Sequence, residues 1–194
     1  MRAPATIPLL IVLLCCMAFT PGAAFSQEKA MTPLGGGAPM IEGIKMLEPG
    51  AVAPDFSIMD AEGKPFRLAD GKGKKTFLLV FWSIFCEPCR FEMPAIQKMH
   101  EKYGGAGLEV ATIALDGEPL KTSIAGFIKQ EGYTFRVLID ELDPKEMFKV
   151  ADPYGVAGTP TLYLLDREGK VAFARAGRLT EEEVEKAIQA VLKK

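Results

Sequence analysis

The chain has 194 residues, with 23 basic side chains against 25 acidic ones and a single histidine. This near-neutral balance lacks the basic surface that nucleic-acid binding requires, so we expect no nucleic acid among its partners. Removal of the first 26 residues would leave a chain of the size of one domain with its own hydrophobic core.

The chain begins with the pattern of a secretory signal. Arg2 precedes an apolar run over 7–19, and small residues follow up to Ser26. The apolar run is shorter than the roughly 20 residues that a membrane span needs. We therefore predict a signal peptide over 1–26, cleaved after Ser26 or after Ala24. An uncleaved membrane anchor is the alternative.

The segment between this signal and the first regular element has the composition of a tether. Residues 27–47 are rich in glycine and proline and show no steady apolar period, which predicts a flexible linker before a domain over 48–194. Cys15 and Cys16 raise the option of a lipid-modified cysteine. Neither follows the small residue that usually precedes such a site, so this option ranks last.

From residue 48 onwards, apolar strands and amphipathic helices alternate. In chain order we predict a hairpin over 56–68, a strand over 76–82, a helix over 88–103, a strand over 108–115, a helix over 120–131, a strand over 135–139, a short helix over 144–150, strands over 161–165 and 171–174, and a last helix that starts at Thr180. Thr180 and Glu183 have the spacing of a capping box. The alternation predicts an α/β fold with a mixed central sheet flanked by helices.

Cysteine usage carries the functional signal. Loss of the signal peptide would leave only Cys86 and Cys89. A bridge across two residues closes too small a loop to constrain the unfolded chain much, so structural stabilisation does not explain the pair. Half a zinc site is the other interpretation, but two more ligands would be needed and only His100 remains. We therefore expect neither a metal nor another cofactor.

The position of the pair predicts thiol–disulfide chemistry. Pro88 suits the first turn of a helix, which leaves Cys86 at the helix N-terminus. Free backbone N–H groups and the helix dipole favour a thiolate there, although the charge of Glu87 opposes it. Cys89 lies one turn deeper on the same face. This spacing makes Cys86 the nucleophile and Cys89 the resolving thiol.

Several motifs resemble a known family. Three motifs of this chain resemble those of the thioredoxin superfamily. They are Phe81-Trp82, Cys86-Glu87-Pro88-Cys89 followed by Pro94, and Gly158-Thr159-Pro160-Thr161, which resembles the cis-proline loop of that superfamily. Three further features resemble one branch of the superfamily, the TlpA/ResA/DsbE-like proteins, which are exported and usually membrane-tethered thiol reductases. These features are Ala53-Pro54-Asp55-Phe56, the opening hairpin and the segment 104–140. The resemblance covers about 48–193 and implies a thioredoxin-like three-layer fold with an extra N-terminal hairpin.

The resemblance also directs attention to Glu92. Thioredoxin has a buried aspartate that serves its deeper cysteine, and Val80 occupies that place here. In ResA-like proteins a glutamate three residues beyond the second cysteine tunes the pair. We hypothesise that Glu92 is partly buried, has a raised pKa and exchanges a proton with Cys89. The alternative is a surface glutamate paired with Arg90 or Lys98.

Five residues around the pair are candidates for substrate binding. If Pro160 is cis, as the resemblance implies, the backbone of Thr159 is free to pair with an extended substrate chain beside the nucleophile. A proline that simply starts a strand is the alternative. Glu87 and Pro88 lie between the cysteines, and we expect Trp82 to pack beside the site.

The resemblance implies a protein disulfide reductase of an extracytoplasmic compartment such as the periplasm. Its substrates would be exported proteins, for example apocytochrome c, its electrons would come from a membrane thiol donor, and it would act as a monomer. A peroxiredoxin-like peroxidase is an alternative, but it needs Pro-x-x-x-Thr-x-x-Cys, which residues 80–85 do not match. A copper-binding chaperone is a second alternative, and it would need Cys-x-x-x-Cys with a distant histidine.

Overall fold

A computed structural model describes residues 44–193 of the chain. The predicted signal peptide with its cleavage site, the two cysteines at 15 and 16, and most of the predicted linker lie outside these residues. Among residues 44–193, no helix has both the length and the apolar character to cross a membrane.

Seven strands and three α-helices form the described part of the chain. They are β1 (Ser57–Met59), β2 (Pro65–Arg67), β3 (Thr76–Trp82), α1 (Glu87–Tyr103), β4 (Leu108–Ala114), α2 (Lys121–Glu131), β5 (Arg136–Ile139), β6 (Thr161–Leu165), β7 (Val171–Ala176) and α3 (Glu181–Leu192). Strands β1 and β2 form a separate hairpin, and the other five form one sheet in the order β5-β4-β3-β6-β7. This mixed sheet with its extra hairpin confirms the predicted fold class.

The three helices pack against one face of the sheet. Strands β3, β4 and β5 are parallel neighbours, so α1 and α2 are successive crossovers in the same direction. Crossovers of this kind are right-handed, which places both helices on the same face. Alternate residues of β3 point to that side, and they pack there with Met93 of α1, Ile124 of α2 and Ile188 of α3.

The opposite face is covered by the hairpin and by the chain that follows β5. Phe77, Leu79 and Phe81 of β3 point to this side and pack with Phe66 and Tyr154. The tyrosine ring is close to that of Phe81, with centroids 5.7 Å apart. This core is rich in aromatic rings, which bury a large apolar area per residue.

The short helix predicted over 144–150 does not form, and that prediction is wrong. The segment turns back on itself instead, with an antiparallel bridge between Leu142 and Phe148. The carboxylate of Asp143 accepts the backbone N–H groups of Lys145 and Met147 at 2.7 and 3.0 Å. Short polar side chains of this kind offer the backbone an alternative to helical hydrogen bonds.

The packed domain begins slightly before the predicted boundary. Leu47 packs against the core and donates its backbone N–H to the hydroxyl of Tyr163 at 3.1 Å, and Met46 packs beside it. A β-carbon on Gly155 would overlap the carbonyl oxygen of Lys45, so glycine allows this close approach. The last residues of the predicted linker are therefore part of the domain.

The capping box of α3 is confirmed, and it sets the start of the last helix. Thr180 accepts the backbone N–H of Glu183 at 3.2 Å, and the Glu183 carboxylate accepts the backbone N–H of Thr180 at 2.8 Å. Lys98 of α1 pairs with Glu181 of α3 at 2.8 Å. This surface ion pair joins α3 to α1, the helix at whose N-terminus the cysteine pair lies.

Strand register brings four loops to one edge of the sheet. Trp82 at the end of β3 pairs with Ala114 at the end of β4. Phe81 pairs with Thr161 at the start of the antiparallel β6, and Thr161 pairs with Ala176 at the end of β7. The loops that follow β3, β4 and β7 therefore meet the loop that precedes β6.

Candidate active site

The cysteine pair lies at this edge, at the N-terminus of α1. Cys86 and Cys89 form a disulfide with their Cα atoms 5.3 Å apart. Cys86 is the N-cap residue, its sulfur accepts the backbone N–H of Cys89 at 3.3 Å, and Pro88 lies in the first turn. Cys86 is half-buried, whereas only 2% of Cys89 is exposed. A partner sulfur can therefore reach Cys86 but not Cys89.

The loop that leads to Cys86 is held by Asp116, which follows β4. One carboxylate oxygen accepts the hydroxyl of Ser83 at 2.7 Å, and the other accepts the backbone N–H of Ile84 at 3.0 Å. The Ser83 hydroxyl oxygen in turn accepts the backbone N–H of Phe85 at 3.1 Å. The Ser83 carbonyl also accepts the backbone N–H of Cys86 at 3.0 Å. Asp116 is therefore a positioning residue for the nucleophile.

Our sequence reasoning missed Asp116. A signal was present, because polar residues that follow the carboxyl ends of neighbouring parallel strands meet at one edge of a sheet. Using that signal requires knowing that β3 and β4 are neighbours in register, with Trp82 opposite Ala114. The sequence pattern alone does not contain this pairing.

Glu92 connects α1 to the loop that follows β7. Its carboxylate accepts the backbone N–H of Leu179 at 2.7 Å, and it pairs with neither Arg90 nor Lys98 among the described residues. The side chain is half-buried, and this burial raises its pKa, partly offset by the Leu179 N–H and the charge of Arg178. Glu92 makes no hydrogen bond to either sulfur within residues 44–193.

The loop before β6 faces the same edge. The Thr159–Pro160 peptide bond is cis, and the Pro160 carbonyl accepts the backbone N–H of Gly177 at 2.8 Å. The hydroxyl of Thr161 donates to the Gly158 carbonyl at 2.7 Å. In the described part of the chain, neither backbone group of Thr159 has a hydrogen-bond partner, so both remain available to an extended chain.

The other candidates for substrate binding differ in exposure. Glu87 and Pro88 are exposed beside Cys86. Trp82 is fully buried and packs against Phe127 with the rings tilted by 40° and their centroids 5.9 Å apart. Trp82 points into the core beneath the site, as the alternation of β3 requires, and its role in substrate binding stays a prediction.

Two aromatic side chains at the site were also missed. Phe85 is 78% exposed and Phe91 is 66% exposed, one on each side of the cysteine pair in sequence. Large apolar side chains at such exposure are more informative at a reactive site than elsewhere on a surface. Residue type alone cannot find them, because the other phenylalanines among residues 44–193 are buried in the core or pack against it.

The donor groups in the described range do not form a metal centre. No cluster of three or more His, Cys, Asp or Glu side chains is arranged to hold an ion among residues 44–193. His100 lies near the C-terminal end of α1, more than two turns from Cys89, so it is remote from the sulfurs.

Comparisons with known proteins agree with this geometry. The AhpC/TSA family model matches residues 49–174. The thiol–disulfide oxidoreductase ResA of Geobacillus thermodenitrificans is 32% identical over 183 residues, which cover 94% of this chain and 92% of that protein. ResA of Bacillus anthracis is 39% identical over 136 residues, covering 70% and 74%.

A solved structure has the same fold. The protein assigned as the thiol:disulfide interchange protein DsbE of Chlorobium tepidum matches with a TM-score of 0.65 and 34% identity. The match covers 75% of this chain and 99% of that one. These similarities confirm the family expected from the cysteine motif. The chain therefore belongs to the AhpC/TSA family, and it is a thioredoxin-like thiol–disulfide oxidoreductase.

Proposed function

We propose that this protein reduces disulfides of exported proteins through the dithiol form of Cys86 and Cys89. The difference in access between the two sulfurs is the observation that carries the proposal. Cys86 caps α1 at the surface, and Cys89 is buried one turn deeper. A dithiol of this kind attacks with one sulfur and releases its partner with the other.

The proposed reaction consists of two thiol–disulfide exchanges. The Cys86 thiolate attacks one sulfur of the substrate disulfide and forms a mixed disulfide, while the other substrate sulfur leaves as a thiolate and takes up a proton. Cys89 then loses its proton and attacks the Cys86 sulfur, which forms the Cys86–Cys89 disulfide and releases the second substrate thiol. Two electrons pass from the protein to the substrate, so a thiol donor must reduce the pair again.

The substrate, the donor and the compartment belong to the same proposal. The similarity to ResA and the predicted signal peptide support an extracytoplasmic location, the periplasm in a cell with two membranes. We propose apocytochrome c among the substrates, a membrane thiol reductant as the donor, and a monomeric state. The exposed rings of Phe85 and Phe91 and the free backbone of Thr159 support a protein substrate.

Glu92 is proposed as the acid and base for Cys89. Its half-buried carboxyl has a raised pKa, which makes it a better proton acceptor than an exposed glutamate, and its position three residues beyond Cys89 supports this role. We expect Glu92→Gln to change the pKa of Cys89 and to slow the second exchange. Unchanged cysteine pKa values and unchanged exchange rates would disprove this role.

The reduction potential of the pair tests the direction of the reaction. It can be measured by thiol trapping across defined redox buffers. A value near that of thioredoxin, about −270 mV, would support a reductant that a donor must recharge. A value near that of DsbA, about −120 mV, would make the protein an oxidant and overturn the proposal. A pair with no reversible couple would contradict oxidoreductase chemistry altogether.

Substitution of each cysteine tests the two roles. We expect Cys89→Ser to accumulate a mixed disulfide with the substrate, because the resolving thiol is absent, and Cys86→Ser to form none. Mass spectrometry of the trapped species distinguishes them. Peroxide turnover and copper titration of the wild-type protein examine the peroxidase and copper-chaperone alternatives.

A further inference from the structure

A small pocket lies beside the cysteine pair, between the first turns of α1 and the end of α2. Its volume is about 180 Å³, and its lining consists of aromatic and charged side chains: Glu87, Arg90, Phe91, Phe127, Glu131 and Tyr133. We call it the aromatic–acidic pocket. Neither the fold comparison nor the proposed exchange chemistry accounts for it.

One wall of the aromatic–acidic pocket comes from the helix that carries the nucleophile. Glu87 follows Cys86 directly, and Arg90 and Phe91 are three and four residues further along α1. This spacing places the three side chains on one helix face. A group bound in the pocket would therefore be near any chain joined to Cys86 in a mixed disulfide.

The opposite wall is aromatic and preorganised. Phe127 of α2 lies against the buried Trp82, with centroids 5.9 Å apart, and against Tyr133 at 6.1 Å. Tyr133 stacks in turn on Phe135 at 5.2 Å. Burial and the nearby charge of Glu131 raise the pKa of Tyr133, so its hydroxyl stays neutral. This series of rings connects the pocket to the core beneath the active site.

The charges of the pocket favour a cation. The charged lining residues are two carboxylates, Glu87 and Glu131, and one guanidinium, Arg90, so the lining itself carries one negative charge in excess. None of the three forms an ion pair within residues 44–193. Glu131 is also the last residue of α2, where the helix dipole adds partial negative charge. Aromatic faces attract cations as well, and the Arg178 guanidinium already lies 6.0 Å from the Phe91 ring.

We propose that the aromatic–acidic pocket binds a lysine or arginine side chain of the protein substrate, a few residues from the substrate cysteine. This inference rests on the proposed function and narrows its substrate class to segments with a basic residue near the cysteine. The carboxylates of Glu87 and Glu131 bind the charged end, and the rings of Phe91, Phe127 and Tyr133 contact the alkyl stem. The pocket thus selects among disulfides that the cysteines alone would treat alike.

Single-turnover reduction of synthetic peptides tests the pocket. The fully reduced protein is mixed with disulfide-linked peptides that carry lysine at one to four residues from the cysteine. Matched peptides carry norleucine or glutamate at the same position. We expect at least one lysine peptide to react about tenfold faster than its norleucine match, with the glutamate peptide slowest.

Variants of the lining residues connect this preference to the pocket. We expect Glu131→Gln and Phe91→Leu each to lower the lysine-to-norleucine rate ratio about threefold, since leucine keeps apolar area but lacks a ring. Arg90→Gln should raise the ratio. Glu182→Gln, which removes an exposed carboxylate on α3, is the matched control and should leave the ratio unchanged.

A failure of the pocket proposal can be distinguished from a failure of the proposed function. Reduction of hydroxyethyl disulfide, a small neutral substrate, reports the exchange chemistry alone, and its failure would contradict the proposed function. If that substrate is reduced but no lysine peptide is preferred, the pocket proposal is overturned. A preference that Glu182→Gln lowers as much as Glu131→Gln would also overturn it, because it would reflect overall charge.

Discussion

Two aspartates hold two different regions of this molecule by the same means. Asp116 follows β4 and Asp140 follows β5, its parallel neighbour, and each carboxylate accepts hydrogen bonds from a distant segment: a hydroxyl and one backbone N–H for Asp116, and two backbone N–H groups for Asp140. Asp116 holds the loop that leads to Cys86. Asp140 accepts the N–H groups of Val150 and Ala151 at 3.1 and 2.9 Å and holds the chain that covers the other face of the sheet.

The two aspartates differ in burial, so we expect their substitution to affect different properties of the protein. Asp140 is fully buried, and this burial raises its pKa although three backbone N–H groups partly offset the effect. Asp116 is only half-buried and holds the loop that leads to the nucleophile. Breaking the hydrogen bonds of a buried carboxyl lowers the free energy of unfolding more than breaking those of a half-exposed one. Asp140 should therefore matter chiefly for stability, and Asp116 chiefly for the reaction.

The largest effect is expected from Asp140→Ala. The substitution leaves the backbone N–H groups of Glu141, Val150 and Ala151 without their acceptor. We expect the free energy of unfolding to fall by about 3 kcal/mol, measured by urea denaturation. Asp140→Asn keeps one oxygen acceptor and should lose less. Equal losses for the two variants would contradict a hydrogen-bonding role.

The exchange rate of the folded Asp140 variant tests whether this residue affects the reaction as well as stability. Folded Asp140→Asn protein should reduce hydroxyethyl disulfide at the wild-type rate, because Val150 and Ala151, whose N–H groups Asp140 accepts, pack on the sheet face opposite Cys89. A slowed exchange in a fully folded sample would show that the two regions are coupled. Near-ultraviolet circular dichroism establishes that the sample is folded.

The next largest effect is expected from Asp116→Asn, which should slow the reaction more than it lowers stability. The amide oxygen can replace only one of the two acceptors that serve Ser83 and Ile84. We expect the second-order exchange rate to fall about tenfold through a looser loop before Cys86, and the free energy of unfolding to fall by about 1 kcal/mol. Stopped-flow kinetics with hydroxyethyl disulfide measures the rate.

Two further variants identify the cause. Ser83→Ala removes one partner of Asp116, so the double variant should show a coupling free energy rather than additive losses. Asp55→Asn is a matched control, since Asp55 also joins a side chain and a backbone N–H, those of Arg67 and Ala69, but in the hairpin region. A control that slows exchange as much as Asp116→Asn would refute a specific positioning role.

The smallest effect is expected from Glu92→Gln, and it depends on pH. Because burial raises the pKa of Glu92 above its usual value of 4.5, its contribution to stability is complete below that pH. It is lost as the pH rises through the raised pKa. Glutamine does not ionise, and its oxygen can still accept the Leu179 N–H. The free energy of unfolding of the variant should therefore rise relative to that of the wild type as the pH rises through the raised pKa of Glu92.

Urea denaturation of both proteins between pH 4 and pH 8 measures this difference. A difference between the two free energies of unfolding that stays constant with pH would contradict a raised pKa. Glu183→Gln provides a contrast of opposite sign, because hydrogen bonds from Thr180 lower the pKa of Glu183. Its effect should appear as the pH falls below the usual range of a glutamate.

The sequence by itself determined the features that depend on local spacing. The roles proposed for Cys86 and Cys89 follow from two intervening residues and a proline in the first helical turn. The capping box of Thr180 and Glu183 follows in the same way, as do the buried strands and the order of the helices. Each of these depends on residues a few positions apart, so their geometry is set by one element.

Only the tertiary structure decided the features that depend on which elements are neighbours. Asp116 meets Ser83 because β3 and β4 pair in one register, and Glu92 meets Leu179 because α1 packs near the end of β7. The short helix predicted over 144–150 fails because aspartate side chains bind its backbone. In each case the partner lies outside the repeating pattern of one helix or strand, and such contacts have no periodic signal in the sequence.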